Sequence, residues 1–177
     1  MAYILIDGYN LIGIAHGDLE KARNDLIRKL LKYSEIKKHH VTVVFDGWKN
    51  GQPYETKTTT KSLTVIYSRL GEKADLTIRR ILSSSTKPWI VVSTDREVSG
   101  YAAGRDLAAV RSDEFEYKLY SALKETGEDP AGDPLNGDEI YLKYGQDEGQ
   151  YLSARRKGNP RKPSRRRKKK LQALKKL

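Results

Sequence analysis

No cysteine occurs among the 177 residues. Disulfide staples, thiol nucleophiles and thiolate zinc sites are therefore excluded. Histidine is scarce, at three residues, so a metal site here must draw on oxygen ligands. No apolar run approaches the ~18 residues that span a bilayer, and the opening stretch, Met1 to Asp7, meets a charge too early for a signal peptide. A cytoplasmic protein without a membrane partner is expected. A glycine-rich phosphate loop after the first strand is also missing, which argues against a receiver-like or nucleotide-binding domain. Hydrophobic residues make up 37% of the chain and charged residues 32%, enough for one core of ordinary size with a segment outside it.

Acid is absent from the C-terminal end, where residues 155–177 carry 13 Lys/Arg and no Asp or Glu. Just before it, residues 124–154 carry eight acids against two lysines. The net charge of +11 therefore belongs mostly to a tail. Three parts are expected: a body over 1–123, an acidic linker over 124–154 and a basic tail over 155–177. Prolines, glycine and clustered cations leave the tail too little apolar surface to fold alone, so disorder in free solution is expected. Leu171, Leu174 and Leu177 would let its last stretch become a short helix on a polyanion. Arg165, Arg166, Arg167, Lys168, Lys169 and Lys170 are its densest run and point to a polyphosphate as partner.

In the body, Tyr3 to Ile6, Val41 to Phe45, Leu63 to Tyr67 and Trp89 to Ser93 are short apolar runs of the kind that form buried strands. Leu107 to Val110 is a weaker one. Asp18 caps a helix running to about Ile36, and helices are expected over 73–83 and from Phe115 to Lys124. Residues 48–62 look like a polar loop, and Ile140 to Tyr144 is a candidate edge strand or part of the linker. Apolar strands alternating with helices indicate an α/β fold whose mostly parallel sheet is covered on both faces.

Ligands of such folds bind beyond the carboxyl ends of the strands, where Asp7, Asp46 and Asp95 each follow a strand. Any one of them could be a turn or a helix cap. Three on one edge repel unless a cation lies between them. Asp75, at the start of a helix, is a fourth candidate. Hard oxygen donors favour Mg²⁺ or Mn²⁺, and Asn10 is placed to orient a carboxylate or a metal-bound water.

The segments Ile6-Asp7-Gly8-Tyr9-Asn10-Leu11-Ile12, Val44-Phe45-Asp46, Lys73-Ala74-Asp75 and Val92-Ser93-Thr94-Asp95 resemble, in order, the motifs of YacP-like NYN-domain proteins of the PIN-like nuclease superfamily. The similarity covers about residues 2–123. It implies a PIN-like three-layer α/β/α sandwich and metal-dependent endonucleolytic cleavage of RNA. Asp7, Asp75 and Asp95 fall on the family's catalytic, metal-binding positions, with Asn10 and Asp46 in support. Some relatives have a further acid four residues beyond the last motif aspartate. Here that residue is Ser99, with Glu97 the nearest substitute.

Phosphodiester hydrolysis needs an activated water and neutralised charge on the attacking and leaving oxygens, which aspartate-held Mg²⁺ supplies. Lys49, Lys57 and Lys61 in the polar loop and Arg79 beside Asp75 are candidates to hold a backbone phosphate, and Trp48 to stack on a base. A haloacid-dehalogenase-type phosphatase would need an acid at position 9, where Tyr9 stands. The stronger alternative is a non-catalytic RNA-binding or ribosome-associated protein on the same fold.

Overall fold

The computed structural model describes residues 1–13, 18–47, 52–125 and 164–177. Its elements are β1 (Tyr3–Asp7), α1 (Gly8–Ile12), α2 (Leu19–Ile36), β2 (His40–Phe45), β3 (Thr56–Thr60), β4 (Leu63–Tyr67), α3 (Ala74–Ser84), β5 (Trp89–Val92), α4 (Arg96–Gly104), β6 (Ala108–Val110), α5 (Ser112–Lys124) and α6 (Arg165–Lys176). Trp48, Lys49, the candidate strand at Ile140 to Tyr144 and nearly all of the acidic linker lie outside the described residues.

Side chains alternate across a strand, and here both sets are apolar. Ile4 and Ile6, Val41, Val43 and Phe45, and Ile90 and Val92 enter one core cluster. Leu5, Val44, Trp89 and Val91 enter the other. The first cluster is closed by Leu26, Leu30 and Tyr33 of α2 and by Phe115 and Leu119 of α5. Ile78 and Leu82 of α3 and Val98 and Ala102 of α4 close the second. The result is the expected three-layer sandwich around a six-stranded sheet, order β3-β4-β2-β1-β5-β6. Every pairing is parallel except β3 with β4. β1 lies between β2 and β5, with Ile6 opposite Val43 on one side and Val92 on the other. From β1 the parallel strands run to one side through β2 and β4 and to the other through β5 and β6, so the switch point at which such folds bind ligands lies at the carboxyl end of β1.

Two expectations are corrected. The polar loop over 48–62 contains a strand: Thr56–Thr60 pairs antiparallel with β4 at the sheet edge. Four β-branched threonines suit an extended backbone, but the strand is almost wholly exposed, so no apolar alternation marks it in the sequence. The second concerns the basic tail, expected to be disordered in free solution with a short helix at its end only on a polyanion. Its last part is a helix, Arg165–Lys176, capped by Ser164 and lying against β6. Ala173 and Leu177 are buried in the first core cluster, with Leu174 packed beside them. Tyr33 Oη donates to Leu177 O at 3.2 Å, and His39 Nε2 bonds Lys176 O at 2.8 Å. Arg165 and Lys169 pair with Asp106, and Lys170 with Glu114. So short an apolar stripe is weak alone, but most helical stability in proteins comes from tertiary packing. Here the body provides the apolar wall and the acids.

Candidate metal centre

Four aspartates reach the switch-point edge, each from a different element. Asp7 ends β1, Asp46 directly follows β2, Asp75 lies in the first turn of α3, and Asp95 immediately precedes α4. Three of them hold helix N-termini. Asp7 Oδ1 accepts from the Asn10 amide at 3.2 Å, and Asp95 Oδ1 from the Glu97 amide at 2.6 Å and the Val98 amide at 3.4 Å. Asp46 Oδ1 reaches across the chain to the amide of Ala74, the first residue of α3. Capping and ligation are compatible: each cap uses one oxygen, and the second has no hydrogen-bond partner among the described residues.

Two glycines allow this crowding. A Cβ on Gly8 would lie 2.3 Å from the Phe45 ring, and one on Gly47 would lie 2.0 Å from the Ser68 carbonyl oxygen. The Asp-Gly pairs at the ends of β1 and β2 therefore place each carboxylate where the backbone must pass close to a neighbour.

The electrostatics show the aspartates acting on one another. Asp7 is only 7% exposed. Burial pushes its carboxyl up to about 6, the Asn10 amide pulls it back, and repulsion by Asp75, Asp46 and Asp95 raises it further. Asp75 is also held above its ordinary range, first by burial and then by Asp95 and Asp46, against the pull of Arg79 and Lys73. Such mutual repulsion is a local deficit of positive charge. The donor set fits a hard divalent cation, being four carboxylates without thiol or imidazole. As the side chains stand, no three Asp, Glu or His among the described residues are gathered closely enough to enclose an ion. Ligation therefore requires the carboxylates to turn inward about their free oxygens.

Asn10 is committed elsewhere. Its side-chain oxygen accepts from the Thr94 amide and the Ser112 hydroxyl, both at 2.7 Å, and from the Thr94 hydroxyl. It thereby ties the end of β1 to the turn carrying Asp95 and to the start of α5. Glu97 is ion-paired with Arg79 at 2.7 Å, and the Arg79 guanidinium also lies over the Tyr101 ring, 5.7 Å from its centroid. Ser99 donates to Arg96 O at 3.3 Å. Lys61 pairs with Glu35, while Lys57 stands exposed on β3. Arg166, Arg167 and Lys168 are exposed on α6.

Sequence reasoning passed over the brace behind Asp75. Glu72 is buried, with Arg80 bonded to its Oε1 at 2.8 Å and Arg69 3.1 Å from its Oε2. The hydrogen bond from Arg80 chiefly holds its carboxyl below the ordinary range. Arg80 also binds Glu55, which ties α3 to the segment before β3. In the sequence Glu72 stands among Gly71, Lys73 and Asp75, a polar context that signals only surface.

A family model described as the YacP-like NYN domain matches residues 4–175. Among solved structures, that of Rae1 (YacP) from Bacillus subtilis matches with a TM-score of 0.53 at 24% identity, covering 87% of this chain and 98% of that one. A single-substitution mutant of the same Bacillus subtilis protein matches with a TM-score of 0.55 at 22% identity, covering 85% of this chain and 99% of that one. At these identities the likeness is one of fold. No curated protein matches the chain.

Proposed function

Because this chain belongs to the YacP-like NYN domain family, a PIN-like nuclease family whose members act on nucleic acid, we propose that it is a metal-dependent endoribonuclease. The observation that carries the proposal is the convergence of Asp7, Asp46, Asp75 and Asp95 from four elements on the switch-point edge, with Asp7 buried among the others. A bound Mg²⁺ or Mn²⁺ would neutralise charge on the scissile phosphate and supply an activated water. Asp7, Asp75 and Asp95 would hold it. Asp46 anchors the N-terminus of α3 and so positions Asp75. Asn10 keeps the Asp95 turn against the end of β1. Products with a 5′-phosphate and a 3′-hydroxyl are expected. RNA, free or on the ribosome, is the proposed partner in the cytoplasm, and no helix among the described residues is long and apolar enough to cross a membrane.

The alternative is an RNA-binding or ribosome-associated protein without catalysis. It is favoured by the capping bonds of Asp7, Asp46 and Asp95, which give each a structural reason to be present. End-labelled structured and single-stranded RNAs, incubated with Mg²⁺, Mn²⁺ or EDTA, separate the two. Cleavage in either metal, absent in EDTA and in Asp95→Asn, is the expected result. RNA binding without cleavage in either metal would favour the alternative.

A further inference from the structure

A second feature lies beside the carboxylates. A pocket of about 360 Å³ is lined by Ser93, Thr94, Arg96 and Ser99 around the start of α4, by Arg111 before α5, and by Ser164, Arg166, Arg167 and Lys170 of the C-terminal helix. Among the described residues, five cations and four hydroxyls line it and no acid does. Two of the cations are partly neutralised from outside the lining, Arg111 by Asp113 at 3.0 Å and Lys170 by Glu114 at 2.8 Å. Arg96, Arg166 and Arg167 are exposed and have no ion pair among the described residues. Ser93 adds an independent sign. It is only 3% exposed, and its Oγ accepts the Asp95 amide at 3.1 Å. The hydroxyl's own proton has no acceptor among the described residues.

We propose that this pocket is a phosphate subsite for the RNA strand, built jointly by the body and the docked C-terminal helix. Like charges gathered in a concave site repel unless an anion occupies it. Arginine forks and hydroxyl donors match phosphate oxygens. The volume admits a phosphate with its adjoining sugar. Thr94 and Arg96 flank Asp95 directly, so a strand held here enters the carboxylate edge from the β5–β6 side. Phosphate contacts of this kind set register and carry no sequence information. The assignment rests on the protein acting on RNA, and it changes the role of the tail from a loose source of affinity to one wall of a defined site.

The test is equilibrium binding of a fluorescein-labelled single-stranded RNA decamer to the full chain in EDTA, where the strand stays intact. The triple variant Arg96→Gln/Arg166→Gln/Arg167→Gln is compared with Lys168→Gln/Lys175→Gln/Lys176→Gln, which removes the same number of charges, all from α6 and all outside the lining. The pocket triple should weaken binding about tenfold or more at low salt and lower the slope of log K against log salt by about 0.7 for each phosphate released. The control triple should weaken it less than about threefold. Arg96→Gln alone, which leaves α6 untouched, should move in the same direction as the pocket triple, and circular dichroism checks that all variants fold. A 5′-hydroxyl and a 5′-phosphate decamer separate the sources of the phosphate. A loss on both assigns the backbone, and a loss confined to the second assigns the strand end. Equal weakening by the two triples overturns the proposal. Because binding is read without metal, failure to cleave leaves this result standing, and cleavage by a protein whose triples bind alike removes the pocket alone.

Discussion

Replacing Asp7 by Asn should stabilise the metal-free protein while removing its metal affinity. Asparagine retains the oxygen that accepts the Asn10 amide and caps helices as well as aspartate does. What it removes is a charge that the fold holds at a cost. Asp7 titrates near 6 in the folded protein against 3.8 for the free group. At ~1.4 kcal/mol for each tenfold, that difference costs about 3 kcal/mol once the group is ionised in both states. The sign follows from the raised value. Below pH 3.8 the carboxyl is protonated folded or unfolded and its contribution is intact, and that stability is lost as pH rises through about 6. Urea denaturation in EDTA at pH 7.5 should thus show Asp7→Asn more stable than the parent by up to about 3 kcal/mol, or roughly 5–10 °C in Tm for a chain of this size. The gap should close towards pH 4. Saturating Mn²⁺ should reverse the order, since a ligand of the native state stabilises only the protein that binds it. A variant no more stable than the parent in EDTA at pH 7.5, or a gap that ignores pH between 4 and 7.5, would refute the reasoning.

Substitutions at two positions and one truncation probe the frame of the site. Asp95→Asn should keep the α4 cap and the fold, whereas Asp95→Ala should cost about 1 kcal/mol of stability from the lost cap, so equal melting of the two would deny the capping role. Asn10→Ala leaves two hydroxyls and one amide without their acceptor and should cost roughly 2–3 kcal/mol in urea denaturation; a loss under 0.5 kcal/mol, on the order of a surface change, would contradict it. Truncation before Ser164 uncovers the wall that Ala173 and Leu177 close and should lower Tm as well as the salt dependence of RNA binding, while a truncated chain melting with the parent would show that the helix does not dock.

The sheet was legible because each buried strand is a short apolar run, and the face each residue takes follows from alternation once both faces are covered. β3 was hidden for the opposite reason: its threonines and Lys57 face solvent, and hydrogen bonding to β4 alone makes it a strand. The C-terminal helix was legible in the spacing of its leucines but its docking was not, because Ala173 and Leu177 are buried against partners distant in the chain, Tyr33 and His39 among them. At the site, the aspartates were found by their place after strands, a local signal. The attachments of Asn10 were not, because Thr94 and Ser112 lie 84 and 102 residues away. Arg79 and Lys61 read as free cations for the same reason, since Glu97 and Glu35 meet them only in the fold. Local chemistry is readable from a sequence, whereas long-range neutralisation requires the folded chain.

The claim that Asp7, Asp75 and Asp95 form a divalent metal centre, with Asp46 in support, is tested most directly by counting bound Mn²⁺, through loss of the free-ion electron paramagnetic resonance signal as protein is added. Activity can fail for want of a partner, and ion binding does not depend on one. The parent should take up Mn²⁺ saturably and in competition with Mg²⁺, while Asp7→Asn, Asp75→Asn and Asp95→Asn, each folded by circular dichroism, should bind it at least about tenfold more weakly. Uptake unchanged in all three variants, or none by the parent, would contradict the metal centre.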